Sequence, residues 1–570
     1  MACQQPAMAP DGGPDGGHTL VQFLSRVSQR RDDGDAEAKA KAISSSNNTS
    51  TNTDALLSAA EIERLGRVRP ACFGSWWSEI AFVVTVVSSM MMSEYWISGF
   101  NIILPPVSAD LGMADSERTW PASAINLTTA ALLLVFARLA DMYGGRSVFL
   151  GGHAWMCVWC LIGGFSRNGI MLIVCRAMQG VGAAAFVPAG LALLGQTYRP
   201  GPRKNLVFAV WGALACVGFY VGILVGAVTA QFLSWRWFFW IGAIVVAGIV
   251  AAGFLSIPRD LHPLDPSVRM DWLGAATIVP GLTLVVFALT DGGQAPQGWR
   301  TPYIYVILVI GLLFLGAAVY VQGWVAAQPL LPPALFKPKY MKRLCAVLFF
   351  AYGTFGLFLF YVSFYIETVL HTSPILTAAW FTPLAVGGMI LAVTGGFIMH
   401  LLPNRILLLI STVGFLICVL LPPLIPDQTP GSGGVMSTSK LYWAYIFPAM
   451  LCGTIGVDIM FNVTNVFITT AMPHRHQNAA SGLINSLLYL GQAFWLGIAE
   501  LAVSASVQAQ GADRLGPRKQ LQIGFFLGVG LSALALLFTV TIKIGSAKAT
   551  LTADEKAALS EAETQERPEK

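Results

Sequence analysis

Ala137-Arg138-Leu139-Ala140-Asp141-Met142-Tyr143-Gly144-Gly145-Arg146 is a short charged segment between two apolar runs, 119–138 and 147–165. A helical run of about 20 apolar residues crosses a hydrocarbon core of about 30 Å. Two such runs joined by so few residues must reverse direction at one membrane face. Gly144 is suited to a tight turn, and Asp141 and Arg146 set fixed charges on either side of it. Apolar runs divided by polar turns continue in both directions, at 80–104, 169–196, 205–231, 236–257, 272–290, 303–323, 342–366, 374–398, 405–423, 441–470, 479–507 and 521–543. The chain therefore reads as an all-α integral membrane protein with fourteen transmembrane helices.

Composition agrees. Of 570 residues, 55% are hydrophobic and 11% charged, with a mean hydropathy of +0.63. A soluble domain carries about a quarter of its residues charged, so this surface needs lipid around it. The 57 glycines suit close helix packing and the 16 tryptophans suit membrane interfaces. Nine cysteines are scattered through apolar runs, and the pair Cys157/Cys160 reads as two small residues on one helix face. The seven histidines are dispersed, so no metal site is expected. A GxxxxGK[ST] phosphate loop is absent, which removes ATP as the energy source. No cofactor and no nucleic-acid partner is expected; the lipid bilayer, a small-molecule substrate and protons are, with the chain acting as a monomer.

Residues 1–78 are rich in Gly, Ser, Asn and Asp and read as a disordered tail, in which Asn47-Asn48-Thr49 matches a glycosylation sequon. Residues 546–570 form a charged second tail. Loops on the side of the termini hold thirteen Lys and Arg residues against eight opposite, which places both termini in the cytoplasm and leaves the sequon unused. A receptor needs seven spans and an anchor one or two, so the count favours a carrier. A membrane enzyme would show clustered His or paired acids at one face.

Polar residues inside the spans are costly in lipid and mark function. In span 12, Thr454, Asp458, Asn462, Asn465 and Thr469 recur at spacings of four, four, three and four, within about 40° of Asp458 on the helix. Such a stripe should face a water-filled cavity. Span 1 carries Glu94, Ser98 and Asn101. Span 13 carries Asn485, Tyr489 and Gln492, with Glu500 further along. Span 4 carries Arg176, Gln179 and Gly180, expected near its cytoplasmic half, and Arg176 requires a carboxylate or several carbonyls. The bland reading of these residues is hydrogen bonding between helices with no role in transport. A carboxyl group away from bulk water can take up and release a proton, and Asp458 is the first candidate for coupling, Glu94 the second.

The quoted segment closely resembles the G-x-L-a-D-r-x-G-r-k loop of the major facilitator superfamily. A degenerate echo follows span 10, at Gly396, His400, Pro403 and Arg405, as an internal repeat would leave. Cys175-Arg176-Ala177-Met178-Gln179-Gly180-Val181-Gly182 is similar to that superfamily's span 4 motif. The run from Leu172 to Ile241 resembles fungal 14-span drug:proton antiporters, most of all the branch of aminotriazole-resistance proteins, boric acid exporters and low-affinity ammonium transporters.

That resemblance implies a major facilitator fold: an N-terminal six-helix bundle (79–257), two extra helices with linkers (258–341) and a C-terminal six-helix bundle (342–545). It assigns Asp141, Gly144 and Arg146 to a cytoplasmic gate. Glu94, Asn101, Arg176, Gln179, Asp458, Asn462, Asn465, Gln492 and Glu500 form the expected substrate and proton pathway. Gly218, Gly222 and Gly226 match the antiporter packing motif of span 5, with Ile223 where that motif has Pro. Trp96 stands where many such exporters carry an Asp in span 1. The expected function is secondary active export of a small molecule, a drug, toxin, metabolite or small solute, by proton antiport with alternating access at the plasma or vacuolar membrane. A uniporter or symporter for a solute such as ammonium or borate is the alternative. A non-transporting sensor would carry a longer signalling tail than the segment after span 14. An enzyme is not expected.

Overall fold

The computed structural model describes residues 68–543 apart from 71, 115–116, 199–201, 260–266, 294, 296–297, 429–434, 473 and 512–514. The sequon, most of the N-terminal tail and the tail over 546–570 lie outside the described residues. So do the side chains of His400 and Thr469.

Among the described residues, fourteen helices are long and apolar enough to span a membrane. They are α1 (Trp76–Asp110), α2 (Thr119–Tyr143), α3 (Gly145–Gly164), α4 (Gly169–Thr197), α5 (Pro202–Phe232), α6 (Arg236–Ser256), α7 (Trp272–Asp291), α8 (Pro302–Tyr320), α9 (Met341–Phe364), α10 (Thr382–Leu401), α11 (Asn404–Leu420), α12 (Phe447–Ala471), α13 (His474–Gln510) and α14 (Pro517–Val540). Every regular element among the described residues is helical. In hydrocarbon each backbone N–H and C=O must be satisfied within its own segment, and a helix does this.

Several helices outrun the expected spans. α1 begins at Trp76 because Ser75 caps it: its hydroxyl accepts from the Trp77 N–H, and its own N–H donates to Ser78 Oγ at 3.2 Å. Apolarity marks the lipid-buried stretch, and the helix continues past it. Span 10 is interrupted instead, with a short helix Pro374–Trp380 leading into α10.

The packing repeats. α1 lies on α5 and α6, α2 on α4, and α3 on α4 and α6. Eight helices later, α9 lies on α13 and α14, α10 on α12, and α11 on α12 and α14. Each pair in the first set has its counterpart in the second. Across the seam, α2 meets α13 and α5 meets α10. These two contacts also exchange under that correspondence, as a two-fold relation between the halves requires. α7 packs against both α2 and α13, with α8 outside it. α8 turns Leu312, Leu313, Val319 and Tyr320 outward, a face suited to lipid.

Charge pairs hold α1 at both ends. Glu79 takes two hydrogen bonds from Arg203, at 2.8 and 2.5 Å, and a third from the Tyr198 hydroxyl at 3.0 Å. At the other end, Asp110 pairs with Arg236 at 3.1 Å and accepts from Trp235 Nε1 at 2.8 Å. Between them α1 and α5 approach at backbone distance. A β-carbon on Gly218 would strike the Met91 backbone, one on Gly222 the Tyr95 backbone, and one on Gly226 would lie 2.7 Å from the Gly99 carbonyl. The three glycines are the close-packing face of α5.

Candidate substrate cavity

The helices run alternately between the end where α1 starts and α14 finishes, toward the termini, and the opposite, far end. Hydrogen bonds across the seam cluster from mid-helix to the far end. Ser486 Oγ donates to the Ala130 carbonyl at 3.2 Å, Asn126 Nδ2 to Gln492 Oε1 at 3.2 Å, and Ser123 Oγ to the Ala493 carbonyl at 3.3 Å. On the other edge of the seam, the Tyr220 hydroxyl lies 2.8 Å from Thr382 Oγ1, and Gln231 accepts from the Ile375 N–H at 3.1 Å. Toward the termini, Asp458, Asn462, Asn465 and Asn485 are only half-buried. Among the described residues the seam is thus closed at the far end, while these polar side chains toward the termini keep partial exposure.

Two carboxyl groups meet at its centre. Glu94 of α1 and Asp458 of α12 are both half-buried, and Glu94 lies within electrostatic reach of Asp458. The phenol of Tyr352 is buried against both charges and has no hydrogen-bond partner among the described residues. Thr454 Oγ1 donates to Asp458 Oδ2 at 2.7 Å, one turn away on the same face. Cys216 Sγ of α5 is 4.0 Å from Asp458 Oδ1. Gly388 of α10 lets that helix pass, since a β-carbon there would lie 2.9 Å from Asp458 Oδ2. Helices of both halves therefore converge on one acid. Ser93 Oγ and the Tyr489 hydroxyl, 3.1 Å apart, join α1 to α13 beside it.

The other expected residues divide. Asn101 and Gln492 lie further toward the far end, with Asn126. Ser98 turns away from the cavity, donating to the Phe219 carbonyl of α5 at 2.7 Å. Glu500 does not join the acid pair: it is eleven residues beyond Tyr489, about 16 Å along the helix, beside Tyr361, where it accepts from Ser504 Oγ at 3.3 Å.

Arg176 belongs to the far half, because α4 starts at the far end with Gly169 and Arg176 is only two turns in. That corrects its expected place in the cytoplasmic half. Its partners are oxygens without formal charge: Nε donates to the Pro121 carbonyl at 3.1 Å, Nη2 to the Trp96 carbonyl at 2.9 Å and Nη1 to Gln179 Oε1 at 3.0 Å. The guanidinium also covers the Phe100 ring at 3.9 Å. Trp96 is fully buried against Phe238 and Phe239, away from the cavity.

At the terminal end of α2, Gly144 adopts φ 89° and is at once the C-cap of α2 and the N-cap of α3. Asp141 lies near Arg138. Arg146 donates to the Phe254 carbonyl of α6 at 3.1 Å. Arg138 reaches sideways instead, to Gln328 Oε1 at 2.7 Å and the Arg269 carbonyl at 3.1 Å, fastening the linkers around α7 and α8 to α2.

Sequence reasoning missed Asn126 and the Glu79–Arg203–Tyr198 cluster. Asn126 follows Ser123 by three residues inside an apolar run, so a signal was present. Nothing local marks Arg203 as the partner of an acid 124 residues away.

Two related halves that meet around a central, half-buried acid pair define a secondary membrane carrier. The chain belongs to the Major Facilitator Superfamily, whose family model matches residues 81–496. It is 32% identical over 472 residues to a low affinity ammonium transporter of Saccharomyces cerevisiae, covering 81% of this chain and 88% of that one. It is 29% identical over 490 residues to the efflux pump terJ of Aspergillus terreus, covering 84% and 91%. An auto-inhibited POT family peptide transporter superposes with a TM-score of 0.60 at 14% identity, covering 83% of this chain and 99% of that one, a likeness of fold.

Proposed function

We propose that this carrier exports a small molecule in exchange for protons, the halves 79–257 and 342–545 rocking about the central cavity. Membership of a family that includes efflux pumps supports export. The observation that carries the coupling is Asp458. It is a mid-membrane carboxyl group at the junction of α5, α10 and α12, beside a second acid. A proton bound there from the far side is released when the cavity opens toward the termini, and substrate is loaded in exchange. The positive charge in the terminal loops supports a cytoplasmic position for that side, and export from the cell makes the plasma membrane the proposed location, with the vacuolar membrane as the alternative. Asp141, Gly144 and Arg146 then brace the cytoplasmic end of the N-terminal half.

The test uses inside-out vesicles, an imposed pH gradient and a pH-sensitive dye, with candidate solutes added singly. A proton flux evoked by one solute and reduced about tenfold or more in Asp458→Asn, a loss of about 1.4 kcal/mol or more, is the expected result. Movement of labelled solute without proton flux favours uniport. That second reading has its own support in α5, which runs as one helix through Ile223, and in Trp96, buried where exporters of this type carry an acid.

A further inference from the structure

The far end of the cavity holds a compartment distinct from the acid pair. Asn101, Asn126 and Gln492 line it together with Leu359, Phe360 and Leu496. Asn101 lies seven residues beyond Glu94, about 10 Å along α1.

The two asparagines are held in a defined sense. Asn101 Nδ2 donates to the Ile97 carbonyl at 3.0 Å. Asn126 Nδ2 donates to Gln492 Oε1 at 3.2 Å and to the Ala122 carbonyl at 3.5 Å. With the amide nitrogens tied back, both Oδ1 atoms are left buried and without a donor among the described residues. A buried acceptor without a partner is costly, and it is relieved by a ligand that brings N–H or O–H groups.

Arg176 decides the charge of that ligand. Its hydrogen bonds reach the carbonyls of Trp96 and Pro121, each one residue before a residue of the compartment wall, Ile97 and Ala122. Its guanidinium covers Phe100, the neighbour of Asn101. All its hydrogen-bond partners are carbonyl or carboxamide oxygens, so a positive charge stands behind the wall with no carboxylate bonded to it. A cation is repelled by that charge at low local dielectric. An anion brings no donors to Asn101 and Asn126.

We infer that Asn101, Asn126 and Gln492 form a receptor for a small uncharged molecule that donates hydrogen bonds, with Arg176 as the residue that positions it and excludes cations. This names the substrate class of the carrier proposed above and rests on that reading. Apolar walls on one side and two acceptors on the other fit a compact solute with one polar edge, such as a primary carboxamide.

Three molecules of nearly equal shape separate the alternatives: acetamide, acetamidinium and acetate. The unfolding midpoint of the full-length protein in detergent is measured against the concentration of each, since a ligand that binds the native state raises it. Acetamide is expected to raise the midpoint while acetamidinium and acetate do not. Asn101→Leu and Asn126→Leu should weaken the acetamide response about tenfold or more. Asn126→Asp, which supplies a carboxylate to the compartment, should admit acetamidinium. The proposal is overturned if either ion matches acetamide in the wild type, if none of the three shifts the midpoint, or if the leucine variants respond as the wild type does. The measurement needs no transport. If acetamide fails to bind while Asp458→Asn still abolishes solute-driven proton flux, the receptor is wrong and the carrier reading stands.

Discussion

At Glu79 the first turn of α1 is tied to the α4–α5 connection by Arg203 and Tyr198. The phenol is buried and faces a carboxylate, so burial first, and the Glu79 charge second, hold its proton affinity above the ordinary tyrosine value of 10.0. A group that binds its proton more tightly when folded contributes stability that is complete below its unfolded pKa and fades as pH rises past it. Tyr198→Phe should therefore lower stability by about 1–2 kcal/mol at pH 8, one hydrogen bond to a charged group. The gap between variant and wild type should narrow above pH 10. Unfolding midpoints from pH 7 to 11 check this, and a gap constant across that range would mean that Tyr198 does not titrate with folding. Legibility at this scale was uneven. Spacing alone singled out Asp458, because a polar stripe at helical period stands out in an apolar span. Arg176 declared its need for oxygen partners, but its depth follows from the direction of α4 rather than from its own surroundings. Glu79 and Arg203 each read as ordinary charges at a membrane edge until the fold brought them together.

Among elements, the α1–α5 contact is the one most constrained by sequence. A side chain longer than hydrogen at Gly222 meets the Tyr95 backbone and Ser98 Oγ, and backbone cannot yield as a rotamer can. Gly222→Leu should cost about 3 kcal/mol or more and reduce the recovery of folded protein on gel filtration. Unchanged recovery would show that α1 and α5 can separate there. Ile223 gives a subtler case. A proline in a helix removes the bond to the carbonyl four residues back, at a cost of about 3 kcal/mol. At position 223 that carbonyl belongs to Phe219, which already accepts from Ser98. Ile223→Pro should be tolerated better than Leu224→Pro, whose freed carbonyl on Tyr220 has no side-chain donor among the described residues. Comparing the thermal stability of the two variants decides it, and equal losses would remove the role given to Ser98. The spacing of Gly218, Gly222 and Gly226 made this face readable in advance. The Ser98 bond was not, because Glu94, Ser98 and Asn101 share a helical face in sequence while only Glu94 and Asn101 face the cavity.

For the whole molecule, the seam closes through α2 with α13 on one edge and α5 with α10 on the other. If the sealed far end must open during the cycle, joining its edges should stop transport. Tyr220→Cys with Thr382→Cys, bridged by a short bifunctional thiol reagent, is expected to arrest flux. Each single variant treated alike should keep moving solute, and flux through the bridged protein would mean that this edge stays shut throughout. The number of helices and their division into related halves could be read from apolar length and a repeated loop. Which edges meet could not, since no local pattern encodes contacts between helices hundreds of residues apart. One consequence follows from α7, which lies against both α2 and α13, with its linkers fastened to Arg138. It binds one edge of the seam as a spine binds the leaves of a book and leaves the α5–α10 edge unbound. The halves then part like pages, widest at the fore-edge, and a departing solute has one preferred side by which to leave.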